Sequence, residues 1–210
     1  VSNERAAEWN SKKEIKAPAN YKDPDKIKEY VARERLKLGS KDALSWVTGK
    51  LFSFATVDIK TGEPFFLHSL DEKELLLEIT DQCSGRDVYT KSGKLFDFPF
   101  LVGRYMYNKL PVPTFLIQKS FQHDVDDFFS WSSSNPQRGS LESYAHGLGI
   151  SGKHGDYKTA EKLYTAMLIG DSTPEMVEEL KVYNIQDSMI VREMVQRYYG
   201  YSLDQTGQQN

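Results

Sequence analysis

The stretch Arg86-Asp87-Val88-Tyr89-Thr90-Lys91-Ser92-Gly93-Lys94-Leu95-Phe96-Asp97-Phe98-Pro99-Phe100-Leu101 changes character partway along. Arg86 to Thr90 is rich in β-branched and aromatic residues and reads as a short strand, and Ser92-Gly93 punctuates it. Phe98 to Leu110 reads as a helix, with Pro99 in the first turn, where its missing N–H costs little, and Pro111-Val112-Pro113 as its stop. Strand, loop and helix in succession make an α/β unit. Asp97 stands at the junction. One reading makes it a helix cap, worth about 0.5–2 kcal/mol without any chemistry. The other makes it an ionised carboxylate, favoured by the positive end of the helix and suited to a hard cation such as magnesium.

Upstream, Lys50–Asp58 and Pro64–His68 flank Lys60-Thr61-Gly62-Glu63, a Gly-containing turn of hairpin length, and predict an antiparallel pair. Asp71–Cys83 reads as a helix with Leu75, Leu76 and Ile79 on its buried side. An earlier helix opens at Asp23-Pro24, with Ile27, Tyr30, Val31 and Leu38 as a narrow apolar stripe. Asn3–Leu38 carries ten basic and seven acidic residues, a net of +3. The commoner meaning of such a helix is a solvated face above a packed stripe; the sharper one is a basic flank along a nucleic-acid groove.

Downstream, Phe115–Phe129 is ambiguous, and Ser130–Gly139 is a loop by composition. Helices are predicted over Leu141–Gly147 and Thr159–Ile169. The last opens at Ser172-Thr173-Pro174-Glu175, a hydroxyl cap followed by Pro and an acid, and runs to Gly200. Without internal repeats or a clear linker, the economical expectation is one α/β domain over residues 1–203, with a polar tail at 204–210.

The 210 residues suffice for a real core, and 39% hydrophobic, 12% aromatic and 27% charged content argues against wholesale disorder. A net charge of −3 argues against coating nucleic acid by charge alone, while leaving room for a local basic groove or a metal-bridged phosphate site. Cys83 is the only cysteine, which excludes an internal disulfide or a cysteine-based zinc site and suits a reducing compartment. Val1–Lys16 is polar, unlike a secretory signal, and no apolar run spans a bilayer. The expectation is a soluble, cytoplasmic protein without a membrane partner.

A second segment, Tyr183-Asn184-Ile185-Gln186-Asp187, lies well inside the last helix. Residues four apart share a helical face, so the Tyr183 hydroxyl and the Asp187 carboxylate project together. The commoner outcome for such a pair is a core aromatic and a surface acid. Yet Asp and the adjoining Ser188 are only middling helix formers, so something other than helix stability favours an acid there.

Together these segments resemble the 3′–5′ exonucleases of the DEDD superfamily, in particular the stand-alone proteins similar to the proofreading domain of family-B DNA polymerases. Gly93–Leu101 is similar to the family's second exonuclease motif, with Asp97 as its metal carboxylate. Tyr183–Asp187 is similar to the third, with the Tyr-x-x-x-Asp spacing of the tyrosine subclass. Lys16-Ala17-Pro18, Lys22–Ile27, Thr48-Gly49-Lys50, Asp124–Asp127, Ser140-Leu141-Glu142 and Gly147–Lys153 agree as well, so the resemblance covers nearly the whole chain. It implies an RNase H-like mixed β-sheet with helices on both faces. It also implies metal-dependent 3′–5′ hydrolysis of single-stranded DNA or 3′ ends, with RNA as the other candidate substrate.

Two Mg2+ or Mn2+ ions are implied as cofactors, held in part by Asp97 and Asp187, with Tyr183 orienting the attacking water. A phenol of reference pKa near 10 need not act as the base. Phe96 and Phe98 are the nearby aromatics for packing a terminal base, and both read equally well as core residues. Two departures stand out. Lys91-Ser92-Gly93 replaces the usual Asn-Gly before the second motif. The first motif, Asp-x-Glu, which supplies two further metal carboxylates, is not found; aligning Asn3-Glu4 with the segment after it would put the pair just before Val1, leaving the expected sheet one strand short. Asp58-Ile59-Lys60-Thr61 imitates the motif, but Lys60 stands where the second acid belongs, and Asp58 is rejected as its replacement. The missing motif motivates an alternative: an exonuclease-like scaffold that binds nucleic acid or a partner without cutting.

His123, Asp124, Asp126 and Asp127 look like metal ligands by composition, but adjacent Asp126 and Asp127 cannot share one side of a strand. They read as the edge of a late strand leading into a helix. His146, His154 and Lys153 are candidates for phosphate contact and equally for ordinary surface.

Overall fold

The computed structural model describes residues 12, 14–42, 45–129, 139–151 and 158–200. The chain divides into two compact units, residues 1–51 and 52–210.

In the first unit, helix α1 spans Pro24–Asp42. Asp23 opens it: its carboxylate accepts from the Asp25 N–H at 2.9 Å and its carbonyl from the Ile27 N–H at 3.0 Å. Ile27, Tyr30 and Val31 form the expected half-buried stripe, and Tyr21 sets its ring edge-on to Tyr30 at 5.5 Å. The side chain of Leu38 lies outside the described residues.

The second unit is α/β. Strands β1 (Ser53–Val57) and β2 (Pro64–His68) pair antiparallel, with Ser53 opposite His68 and Val57 opposite Pro64. Asp58 makes the turn, its Oδ1 accepting from the N–H groups of Lys60 at 2.9 Å and Thr61 at 2.8 Å. Helix α2 (Glu72–Cys83) is capped by Asp71, which accepts from the Lys73 and Glu74 N–H groups. Its Leu75, Leu76 and Ile79 are fully buried, each worth about 1.5–3 kcal/mol of transfer free energy.

Strand β3 (Val88–Thr90) pairs in parallel with β4 (Gln122–Asp124). Between them run α3 (Asp97–Tyr107), α4 (Thr114–Ile117) and a 3-10 turn at Lys119–Phe121. The helix expected to reach Leu110 stops three residues earlier, because Lys109 adopts a left-handed φ of 57° that no α-helix continues. The ambiguous Phe115–Phe129 segment resolves into these short pieces, ending in a 3-10 helix at Val125–Phe129.

Helix α5 (Leu141–Gly147) is capped by Ser140, whose Oγ accepts from the Ser143 N–H at 3.0 Å. Helix α6 covers Thr159–Ile169, and α7 covers Pro174–Tyr199. Thr173 caps α7, and Gly200, at φ 71°, closes it in the left-handed region that glycine enters without penalty. The polar tail at 204–210 and most of the predicted 130–139 loop lie outside the described residues.

Helix α7 organises this unit. Its Ile190, Met194 and Val195 join Val125, Ala145 and Ile150 in a buried cluster that ties α7 to α5 and the second 3-10 helix. A polar stripe at four-residue spacing meets the hairpin. Asn184 donates to Ser53 Oγ at 2.9 Å, Ser188 Oγ to the Ala55 carbonyl at 3.4 Å, and Arg192 and Gln196 both donate to the Ile59 carbonyl. The bonds from Asp58 N to Glu63 O and from Ser69 N to Phe52 O turn the even-numbered residues of β1 toward β2. The odd-numbered ones, Ala55 among them, therefore aim their backbone groups away from β2, at the edge where Ser188 arrives. Instead of one mixed sheet, the described strands form two two-stranded sheets, and α7 touches both. Among the described residues, no helix is long and apolar enough to cross a membrane.

Candidate active site

Asp97 is the first residue of α3 and is not its cap. Phe96 occupies the cap position and makes no side-chain capping bond. The loop from Lys91 to Phe96 that delivers Asp97 is held by its own backbone: the N–H groups of Leu95 and Phe96 reach the Ser92 carbonyl at 3.1 Å, and that of Phe98 reaches Gly93 at 2.9 Å. Ser92 stands at φ 61°, a left-handed conformation that non-glycine residues seldom adopt and that Asn tolerates better than Ser.

Gly93 is required for space. A Cβ there would lie 2.1 Å from Thr90 Oγ1, 2.5 Å from Thr90 Cβ and 2.8 Å from Thr90 Cγ2. Gly93→Ala is expected to cost about 3 kcal/mol, the upper end of ordinary overpacking, because the obstacle includes a β-carbon that no rotamer moves. Urea denaturation reads the loss, and the cost of Gly93→Ala should largely vanish when it is measured in a Thr90→Gly background, which lacks the obstacle. A single variant within about 0.5 kcal/mol of wild type would refute the close approach.

The acids converge on this loop from β4. Asp124, 4% exposed, accepts from the Ser92 N–H at 2.9 Å and the Asp126 N–H at 3.0 Å, both through Oδ1. Asp126, 3% exposed, takes Ser92 Oγ at 2.7 Å, Lys91 Nζ at 3.3 Å and the Tyr144 hydroxyl at 2.9 Å. Burial alone would raise the Asp126 carboxyl, but these three bonds outweigh it and hold the group below the usual range. Asp127 instead reaches Lys94 at 2.7 Å on the exposed side, and the His123 ring stacks on Tyr89 at 4.6 Å. Burial, then the negative charge of Asp124, push the Asp97 carboxyl up to about 6, against a smaller opposing effect of its own N–H.

No family model matches the chain, and no curated protein does.

Tyr183 and Asp187 lie half-buried on α7, one turn apart, beside the Asn184–Ser188 stripe that meets β1. One carboxylate oxygen of Asp187, Oδ1, is buried. Asp97 feels the charge of Asp124; among the described residues no three His, Cys, Asp or Glu side chains group as a metal site. Phe98 is buried at 4% exposure, whereas Phe96 is 40% exposed and stacks on Phe100, so of the two Phe96 presents its ring to solvent. Asp58 is occupied in the hairpin turn, and the Thr61 N–H above all holds its carboxyl below the usual range. Burial raises the Cys83 thiol to about 11, so it stays protonated and unreactive at neutral pH. His146 sits in the last turn of α5; His154 and Lys153 lie outside the described residues.

Asp124 carries more of the site than sequence composition suggested. Its signal was an Asp standing directly before the 3-10 helix Val125–Phe129, where its carboxylate accepts from the Asp126 N–H.

Proposed function

We propose that this chain is a metal-dependent 3′–5′ exonuclease of RNase H-like fold, acting in the cytoplasm on single-stranded DNA or the 3′ ends of DNA. The observation that carries the reading is the place of Asp97, a half-buried carboxyl in the first turn of α3, delivered there by the β3–α3 loop that the buried Asp124 holds at Ser92. A half-buried carboxyl that burial makes costly to ionise is one whose charge a divalent cation would stabilise, and Asp97 fits that use.

Asp97 and Asp187 would hold Mg2+ or Mn2+, and an Asp-x-Glu pair on a further strand would complete the set. When bound, two such ions activate a water and neutralise the leaving 3′ oxygen. Tyr183 would orient that water through its hydroxyl, and Phe96 would offer its exposed ring to the terminal base. The two small sheets, with the long α7 touching both, suit an α/β fold of this kind.

The test is hydrolysis of 3′- and 5′-labelled oligonucleotides, DNA and RNA in parallel, with Mn2+. Stepwise loss from the 3′ end, abolished by Asp97→Ala and by Asp187→Ala, is the expected result; activity that survives both changes refutes the site. The absent Asp-x-Glu in residues 1–210 favours one second reading, a protein that binds 3′ single strands without cutting. Tight binding with no turnover at high Mn2+ would decide for it.

A further inference from the structure

We infer that Asp124 is the positioning residue for Asp97, acting through the Lys91–Phe96 loop. The inference rests on the reading of Asp97 as a metal carboxylate given above.

Three observations carry it. First, the buried Asp124 carboxylate uses one oxygen, Oδ1, to accept from both Ser92 N and Asp126 N, so it joins the β3–α3 loop to the segment after β4 at one atom. Charge-assisted bonds of this kind are about twice as strong as neutral ones. Second, the loop needs such a bond. Ser92 is held left-handed at φ 61°, a conformation that strains a non-glycine residue and persists only where the surroundings impose it. Third, Asp126 reinforces the same point, since its N–H donates to the Asp124 carboxylate while its own side chain accepts from Ser92 Oγ and the Tyr144 hydroxyl. From Ser92, the loop's own bonds to Leu95, Phe96 and, through Gly93, Phe98 carry the constraint to the first turn of α3. Displacing the Ser92 amide therefore moves Asp97 without touching it. Metal ligands held by such outer partners commonly lose 10–100-fold in affinity when the partner is removed.

The experiment compares wild type with Asp124→Ala, Asp124→Asn and the neighbouring control Val125→Ala, with Asp97→Asn as the site control. Two quantities are read: amide exchange at Ser92 relative to α2 core amides, and Mn2+ affinity of the folded protein by electron paramagnetic resonance. Asp124→Ala should speed Ser92 exchange at least tenfold against α2 and weaken Mn2+ binding about 10–100-fold. Asp124→Asn, whose amide oxygen still accepts both N–H groups, should stay within about threefold of wild type in Ser92 exchange and fall between wild type and Asp124→Ala in Mn2+ affinity, because it keeps the loop and removes one negative charge. Val125→Ala removes fully buried methyl groups and lowers stability, yet should leave Ser92 exchange relative to α2 and Mn2+ affinity in place. The inference is overturned if Asp124→Ala behaves like Val125→Ala, or if Asp124→Asn fails as badly as Asp124→Ala. If Mn2+ binding is indifferent to Asp97→Asn, the metal reading of Asp97 fails. The exchange at Ser92 then still decides whether Asp124 holds the loop.

Discussion

Replacing Asp97 by Asn is expected to stabilise the metal-free protein by about 3 kcal/mol at pH 8 while lowering nuclease activity about 10³-fold. The stability half follows from linkage. The folded Asp97 carboxyl titrates at about 6 against an ordinary value of 3.8, and each unit is worth about 1.4 kcal/mol. Because the folded value is the higher one, the native state binds more protons than the unfolded chain between those two pH values. The cost of the charge is therefore absent below about pH 3.8, grows from there to about pH 6, and is complete above it. An amide carries no such cost, so the wild-type and variant stability curves should meet near pH 3.5 and separate to a plateau beyond pH 6. Urea midpoints across pH 3–8 read this directly, and parallel curves would mean that the carboxyl is not raised. The activity half rests on the proposed function. Charge stabilisation by a bound cation is worth several kcal/mol, and losing a ligand that holds it converts to about 10³-fold in rate. Opposite signs on stability and activity at one residue are what a side chain kept for function produces.

Where local chemistry punctuates the chain, the elements were legible. Asp23-Pro24, Asp71, Ser140 and Thr173-Pro174 each open a helix as caps do, and Asp58 with Gly62 turns the hairpin. Phe115–Phe129 was not legible, because its one strand, Gln122–Asp124, is fixed by parallel pairing to Val88–Thr90 more than thirty residues earlier and carries no pattern of its own over so short a length. The early end of α3 was equally silent: a lysine at positive φ leaves no trace in composition. Among the candidate residues, Asp97, Tyr183 and Asp187 stood out through motif and spacing. Asp124 owes its role to Ser92, a partner that sequence distance conceals.

The other large effect is expected at Arg104. Arg104→Met should destabilise the protein by about 3–5 kcal/mol, whereas Arg104→Met combined with Glu72→Leu should return to near wild type or above it. Arg104 and Glu72 are 1% and 5% exposed, and they meet through two parallel bonds, Nε to Oε1 at 2.8 Å and Nη2 to Oε2 at 2.6 Å. Asn108 adds a third donor to Oε2 at 2.9 Å, and the Arg104 guanidinium lies 4.2 Å from the centre of the Tyr107 ring. Removing Arg104 leaves a carboxylate buried with most of its compensation gone. Glu72 does sit in the first turn of α2, where the helix dipole favours an anion, but by only about 0.3–1 kcal/mol. Desolvation of an unpaired ion costs several kcal/mol, so the loss of the partner dominates. Replacing both members by apolar residues removes that desolvation cost. The four-protein cycle in urea gives the coupling, and a single variant within about 1 kcal/mol of wild type would refute the buried pair. Arg104 lies two turns beyond Asp97 on α3, and its partner stands at the head of α2, so the pair fixes how α3 approaches α2. A double variant that regains stability with unaltered Mn2+ affinity would show that apolar packing alone sets that approach. One that regains stability but binds Mn2+ more weakly would show that the charged fork aims the helix carrying Asp97.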